Sequence, residues 1–101
     1  MSPIIKIEIP QQQLTEFCQR YHISKLALFG SVIRNDFKAK SDIDILVEFE
    51  PNQIPGLAFF EMEAELTQLL GRKVDLNTPG FLSPKIRERV QREAIVQYVK
   101  S

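Results

Sequence analysis

A single cysteine, Cys18, and a single histidine, His22, remove two common kinds of chemistry from a chain of 101 residues. One cysteine cannot close an internal disulfide, and a histidine with no second histidine or cysteine pair nearby makes no zinc site. His22 is read as a helix-end or surface residue. Net charge is lacking too: thirteen basic and thirteen acidic side chains cancel. The strong positive field of a general nucleic-acid binder is therefore absent, and no direct nucleic-acid binding is expected. No apolar run is long enough for a signal peptide or a membrane span, so a cytoplasmic protein with no membrane contact is expected. Repeats, low-complexity tracts and linkers are missing as well. With 44% hydrophobic residues, residues 1–101 are read as one domain with a single core, too small to hold a second substrate-binding domain.

Charge is present, but unevenly. From Ser41 to Gly71 there are seven acidic residues and no lysine or arginine, whereas Arg72 to Lys100 carries seven basic and three acidic ones. An acidic middle of this kind can dock a basic partner, although Glu61, Glu63 and Glu65 also suit a solvated helix face.

The opening IIKIEIP is short, apolar and stopped by Pro10, which fits either an edge strand or a surface arm. Leu14, Phe17, Cys18 and Tyr21 then fall at helical spacing and predict an amphipathic helix over about Gln11 to Tyr21. Lys25 to Phe29 reads as a buried strand that delivers the chain to Gly30 and Ser31. A glycine there lets backbone approach a ligand. Ser31 would open a short helix whose amides and hydroxyl could hold phosphate oxygens, although a Gly-Ser after a strand is, taken alone, more often a plain turn with a capping serine.

After a polar loop, NDFKAKS, comes DIDILVEF, a second strand closed by Pro51 and Asn52. Side chains alternate along a strand, so Asp42 and Asp44 share one face while Ile43, Ile45, Val47 and Phe49 share the other. Two carboxylates spaced roughly 7 Å apart along the backbone repel each other, and folding alone gives no reason to build that arrangement. A divalent cation gives one. Mg²⁺ takes hard oxygen ligands, often one or two carboxylates together with substrate phosphates, and a metal pair can clamp an in-line phosphoryl or nucleotidyl displacement.

Farther on, Phe59, Met62, Leu66 and Leu69 form the stripe of a second helix running through Leu70, with Gly71 as its C-terminal cap. RKVDLNTP predicts a short strand in which Val74 and Leu76 alternate with Lys73 and Asp75. Asp75 becomes a third candidate ligand if its strand neighbours the aspartate pair. Ser83 and Pro84 then suit the start of a last helix, with Ile86, Val90, Ala94 and Ile95 as its buried stripe. Lys85, Arg87, Arg89 and Arg92 border that stripe, and one or two of them could approach a triphosphate or a partner.

Gly30 and Ser31, the spacer, Asp42-x-Asp44 on a strand and Asp75 on a later strand together resemble the minimal nucleotidyltransferases of the DNA polymerase beta superfamily. More narrowly, the chain resembles the MNT antitoxins that accompany HEPN toxins, with LLGRKVDL and SPKIRERVQREAIVQYV adding to the likeness over nearly the whole chain. Where many relatives carry glycine after the arginine of the Gly-Ser motif, Arg34 is followed here by Asn35, the residue that best substitutes for glycine at a positive φ.

The resemblance implies an α/β (α+β) nucleotidyltransferase fold, a small mixed sheet flanked by helices. It implies Asp42, Asp44 and Asp75 as catalytic ligands of two Mg²⁺ ions, and Gly30, Ser31 and Arg34 as the binding site for ATP. In its narrower form it implies an antitoxin of a type VII-like toxin–antitoxin pair, which moves AMP to a tyrosine of a HEPN-domain ribonuclease toxin, its acceptor and hetero-oligomer partner. Two alternatives belong beside it: transfer to a small molecule such as an aminoglycoside, and a binding antitoxin without catalysis. The missing second domain counts against the first, and the intact set of three acids against the other.

Overall fold

The computed structural model describes residues 7–33, 42–53 and 55–100. Residues 4–6 of the IIKIEIP run, Arg34 and the predicted NDFKAKS loop fall outside the described residues. In chain order the elements are helix α1 (Gln11–Arg20), strand β1 (Ile23–Phe29), a 3-10 turn (Gly30–Ile33), β2 (Ile43–Phe49), α2 (Ala58–Leu70), β3 (Val74–Asn77), a second 3-10 turn (Pro79–Phe81), α3 (Pro84–Glu93) and β4 (Ile95–Val99). Among the described residues the strands form one four-stranded sheet in the order β3-β2-β1-β4. β1 runs antiparallel to both β2 and β4, whereas β2 and β3 are parallel, which makes the sheet mixed as expected.

The strand register sorts the side chains cleanly. Residues paired across neighbouring strands share a face, and the pairs Leu26 with Val47, Leu28 with Ile45, Ile43 with Val74 and Ile45 with Leu76 therefore line one side. All are buried, and with Leu14, Phe17 and Cys18 of α1 and Met62 and Leu66 of α2 they form the main core cluster. The buried residues of α1 and α2 thus fall on the stripes the spacing predicts. The opposite side of the sheet carries the pairs Ala27 with Leu46 and Phe29 with Asp44. Ala27 and Leu46 are buried there too, and Glu48, on the same face at the far end of β2, lies 3.9 Å from Lys25 Nζ, so the aspartates stand toward the start of β2.

α2 ends where a glycine stands. Gly71 adopts a left-handed φ of 73°, which costs a residue without Cβ little, and its N–H bonds to the Thr67 carbonyl. Thr67 then does more: its hydroxyl donates to the Glu63 carbonyl at 2.9 Å and accepts the Val74 N–H at 3.1 Å. Glu63 accepts the Leu76 N–H at 2.9 Å. Side chains of α2 thereby bond to N–H groups of edge strand β3 that a further strand could otherwise use.

Three expectations need correction. The last helix stops at Glu93, and Ala94 turns extended, so that Ala94 and Ile95 do not continue its buried stripe; Ile95–Val99 is a strand bonded to the outer edge of β1. Of that stripe only Val90 within the helix is buried, and Ile86 is 53% exposed. The β-branched run IVQYV favours a strand, and the edge of β1 supplies its partner. Ser83 occupies the N-cap position but makes no side-chain cap bond, leaving Pro84 at the first turn as the start signal. Finally, the glutamates of α2 are not one solvated face. Glu65 accepts from Arg20 at 2.6 Å and from the Tyr21 hydroxyl at 3.0 Å, tying α2 to α1, and only Glu61 is fully on the surface.

Candidate active site

The site assembles where β1 ends, β2 begins and β3 passes. Phe29 faces Asp44 across the antiparallel pair, and Asp44 faces Asp75 across the parallel one, so that Phe29, Asp44 and Asp75 form a single row over three strands. Neighbouring strands lie about 4.8 Å apart, which brings the Asp44 and Asp75 backbones closer together than Asp42 and Asp44 are. Asp42 precedes β2 by one residue, and the Ile43 N–H bonds to the Lys73 carbonyl at 2.9 Å. That bond extends the β2–β3 contact to the Asp42 end of the row.

Gly30 closes the other side of Asp44. Its φ is 75°, and a Cβ placed on it would stand 2.2 Å from Asp44 Oδ2 and 3.1 Å from Asp44 Cγ. Both the backbone conformation and the space therefore require glycine. Sequence reasoning assigned Gly30 to close approach by a ligand; the first group to come close is the Asp44 side chain. Ser31 follows in the 3-10 turn, half-buried, with Val32 buried behind it to hold the turn on the core.

Burial falls outward along the acids. Asp44 is half-buried, while Asp42 and Asp75 are exposed. Lys73 Nζ lies 3.9 Å from Asp42 Oδ2, a partner the sequence reading did not single out. The spacing could have found it, because Lys73 and Asp75 are two apart on one strand and so share a face, as Asp42 and Asp44 do. Arg87 in contrast is used by the fold: its guanidinium donates to the carbonyls of Pro79 and Leu82 at 2.7 and 3.0 Å. It secures the turn after β3 and is not poised for a triphosphate.

Whether the aspartates fit a cation follows from their chemistry and placement. All three are hard oxygen donors, which suits Mg²⁺ and not a soft metal. Among the described residues no group of three or more His, Cys, Asp and Glu is gathered closely enough to hold a metal ion as it stands. Strand register thus brings Asp44 and Asp75 to one row, with Asp42 beside Lys73, without closing a cage. Two unit charges about 5 Å apart repel by about 3 kcal/mol at an effective dielectric near 20, and less where water screens them; a bound cation would offset that repulsion. The donor set and the close seat of Gly30 fit the ion. Volume is a poorer guide: a surface cavity of about 780 Å³ lined by Ile7, Pro10, Leu69 and Arg72 shares no residue with this row.

The profile of the nucleotidyltransferase domain family matches residues 11–97. The chain belongs to this family. Among its relatives, protein adenylyltransferase MntA of Thermococcus cleftensis is 41% identical over 81 residues, 79% of this chain and 80% of that protein. A solved structure provisionally named a minimal nucleotidyltransferase is 35% identical with a TM-score of 0.71, over 84% of this chain and 86% of its own. The crystal structure of a toxin–antitoxin with AMP-PNP shares the fold at a TM-score of 0.73 and 20% identity, over 92% of this chain and 76% of its own. The resemblance read from Gly30, Ser31, Asp42, Asp44 and Asp75 is thus borne out for family and fold. Among the described residues no helix is long and apolar enough to cross a membrane.

Proposed function

We propose that this nucleotidyltransferase is a protein adenylyltransferase that moves AMP from ATP to a tyrosine hydroxyl of a HEPN ribonuclease toxin, and so serves as its antitoxin. The observation that carries the reading is the pairing of Asp44 with Asp75 across β2 and β3, with Gly30 seated against Asp44. Carboxylates beside the Gly30 turn support a site for a metal-bound nucleotide there. The 41% identity to a protein adenylyltransferase supports AMP as the group moved and a protein as the acceptor. A toxin as that acceptor is supported by the toxin–antitoxin structure of the same fold.

In this reading Asp42, Asp44 and Asp75 hold two Mg²⁺ ions, which supply charge stabilisation at the phosphates and lower the pKa of the acceptor hydroxyl. Gly30 and Ser31 receive the β- and γ-phosphates, and Arg34 belongs to the same ATP site. The acceptor oxygen loses its proton and bonds to the α-phosphorus, the bond from that phosphorus to the pyrophosphate oxygen breaks, and pyrophosphate leaves. Positioning and charge neutralisation supply most of such catalysis, so no covalent nucleophile is called for.

The test uses α-labelled ATP, Mg²⁺, the chain and, as acceptor, the product of an adjoining reading frame that encodes a HEPN-type protein, if one is found there. Label is expected on a tyrosine of that protein and only with a divalent metal. Label moving with comparable efficiency to an added aminoglycoside, and none to protein, would replace this reading by small-molecule transfer.

A further inference from the structure

We infer that Glu63 and Thr67 of α2 are positioning residues for the candidate ligand Asp75, an inference that rests on the metal-dependent reading above. β3 has four residues, Val74–Asn77, and among the described residues it lies at the edge of the sheet, paired to β2 alone. A short edge strand is a poor platform for a ligand, because the backbone on its open side is free to move. Here that side is bonded at two points. The Val74 N–H donates to Thr67 Oγ1 at 3.1 Å and the Leu76 N–H to Glu63 Oε2 at 2.9 Å, one on each side of Asp75. The Thr67 hydroxyl is itself fixed, since it donates to the Glu63 carbonyl at 2.9 Å and so turns a lone pair toward Val74.

The two acceptors lie four residues apart on α2, hence on one helix face, and Leu66 between them is fully buried. The helix is therefore locked to the core, and it holds β3 in turn. Asp75 keeps its own side chain for the row with Asp44, while the backbone that carries it is set from behind. Mg²⁺ tolerates little departure from octahedral geometry, and loss of groups that orient its ligands commonly lowers affinity 10- to 100-fold. The Glu63 carboxylate serves here as a hydrogen-bond acceptor, so glutamine can replace it through its carbonyl oxygen.

The experiment compares the parent with Thr67→Val, Thr67→Ser, Glu63→Ala and Glu63→Gln. Mn²⁺ binding in the presence of a non-hydrolysable ATP analogue is read by electron paramagnetic resonance, and amide exchange of Val74 and Leu76 by NMR. Thr67→Val and Glu63→Ala are expected to weaken Mn²⁺ binding about tenfold and to speed exchange of the amide each has lost. Thr67→Ser and Glu63→Gln retain an acceptor and are expected to stay near the parent. Val90→Ala, at a buried residue outside the core cluster that contains Val74 and Leu76, is expected to leave Mn²⁺ binding unchanged. Parental Mn²⁺ affinity in Thr67→Val or Glu63→Ala, with the amide exposed, would overturn the inference and leave the metal-dependent reading standing. Thr67→Val keeps the shape of the side chain and decides the matter if Glu63→Ala does not fold. A parent that binds no Mn²⁺ with nucleotide would instead overturn the reading itself, and the inference with it.

Discussion

At Gly30 a single added methyl group meets two obstacles, a φ of 75° and the Asp44 carboxylate 2.2 Å away. The left-handed conformation alone costs a non-glycine residue about 1–2 kcal/mol, and the contact forces Asp44 to move. Gly30→Ala is therefore expected to lower transfer by more than 100-fold, an effect of about 3 kcal/mol or more on the barrier. Ser31→Ala removes one hydroxyl and leaves the turn, so a loss of about tenfold is expected. Initial rates of AMP transfer check both; equal, negligible losses would make the turn structural only. Cys18 illustrates a residue without a catalytic part. Burial pushes its thiol up to about 12 from 9.0. Folding thus favours the neutral thiol: this contribution is whole below pH 9 and is lost as pH rises from 9 toward 12. At pH 8 the native thiol is expected to resist alkylation and to react once urea unfolds the chain; labelling in the folded protein at the unfolded rate would contradict its burial.

At the scale of elements, what could be read from the sequence was whatever has its own period or its own punctuation. The stripe of Leu14, Phe17 and Cys18, the alternation through Ile43, Ile45 and Val47, and the stop at Gly71 each state their structure locally. So did the spacing of Asp42, Asp44 and Asp75, although the row itself depends on the strand register that sets Asp44 opposite Asp75. Features that depend on distant partners were not legible. IVQYV has the composition of a strand, yet after a helix its apolar residues also fit a helical stripe, and only the open edge of β1 decides between them. Glu63 and Thr67 are ordinary helix residues until β3 is placed beside them. The placement of β4 has a direct consequence. A chain ending at Glu93 uncovers the edge of β1, along which Lys25 to Leu28 pair with β4. It is expected to lose stability and to associate through that edge, visible as early elution in size-exclusion chromatography. A truncated chain that stays monomeric with the parental melting temperature would argue against β4 as an integral strand.

For the molecule as a whole, one sheet does two things on its two faces. The face with Ile43, Ile45, Val47 and Leu76 holds α1 and α2, and the other bears the acidic row, so the core can be stable while the row remains repulsive. Asp75 offers the clearest separation of these roles, because it is exposed and stands opposite Asp44 in the register. Replacing it with asparagine removes repulsion without opening a cavity. A ligand that binds only the folded state stabilises it by RT ln(1 + [L]/Kd), about 2.7 kcal/mol at a hundredfold excess over Kd. The most direct measurement is thermal melting of the parent and Asp75→Asn in EDTA and in Mg²⁺-ATP, with AMP transfer assayed on the same samples. In EDTA the variant is expected to melt at or slightly above the parent; in Mg²⁺-ATP the parent should gain several degrees and the variant little, with transfer abolished. A variant that melts several degrees lower in EDTA, yet gains as much from Mg²⁺-ATP and transfers AMP at the parental rate, would show that Asp75 serves the fold and not the metal.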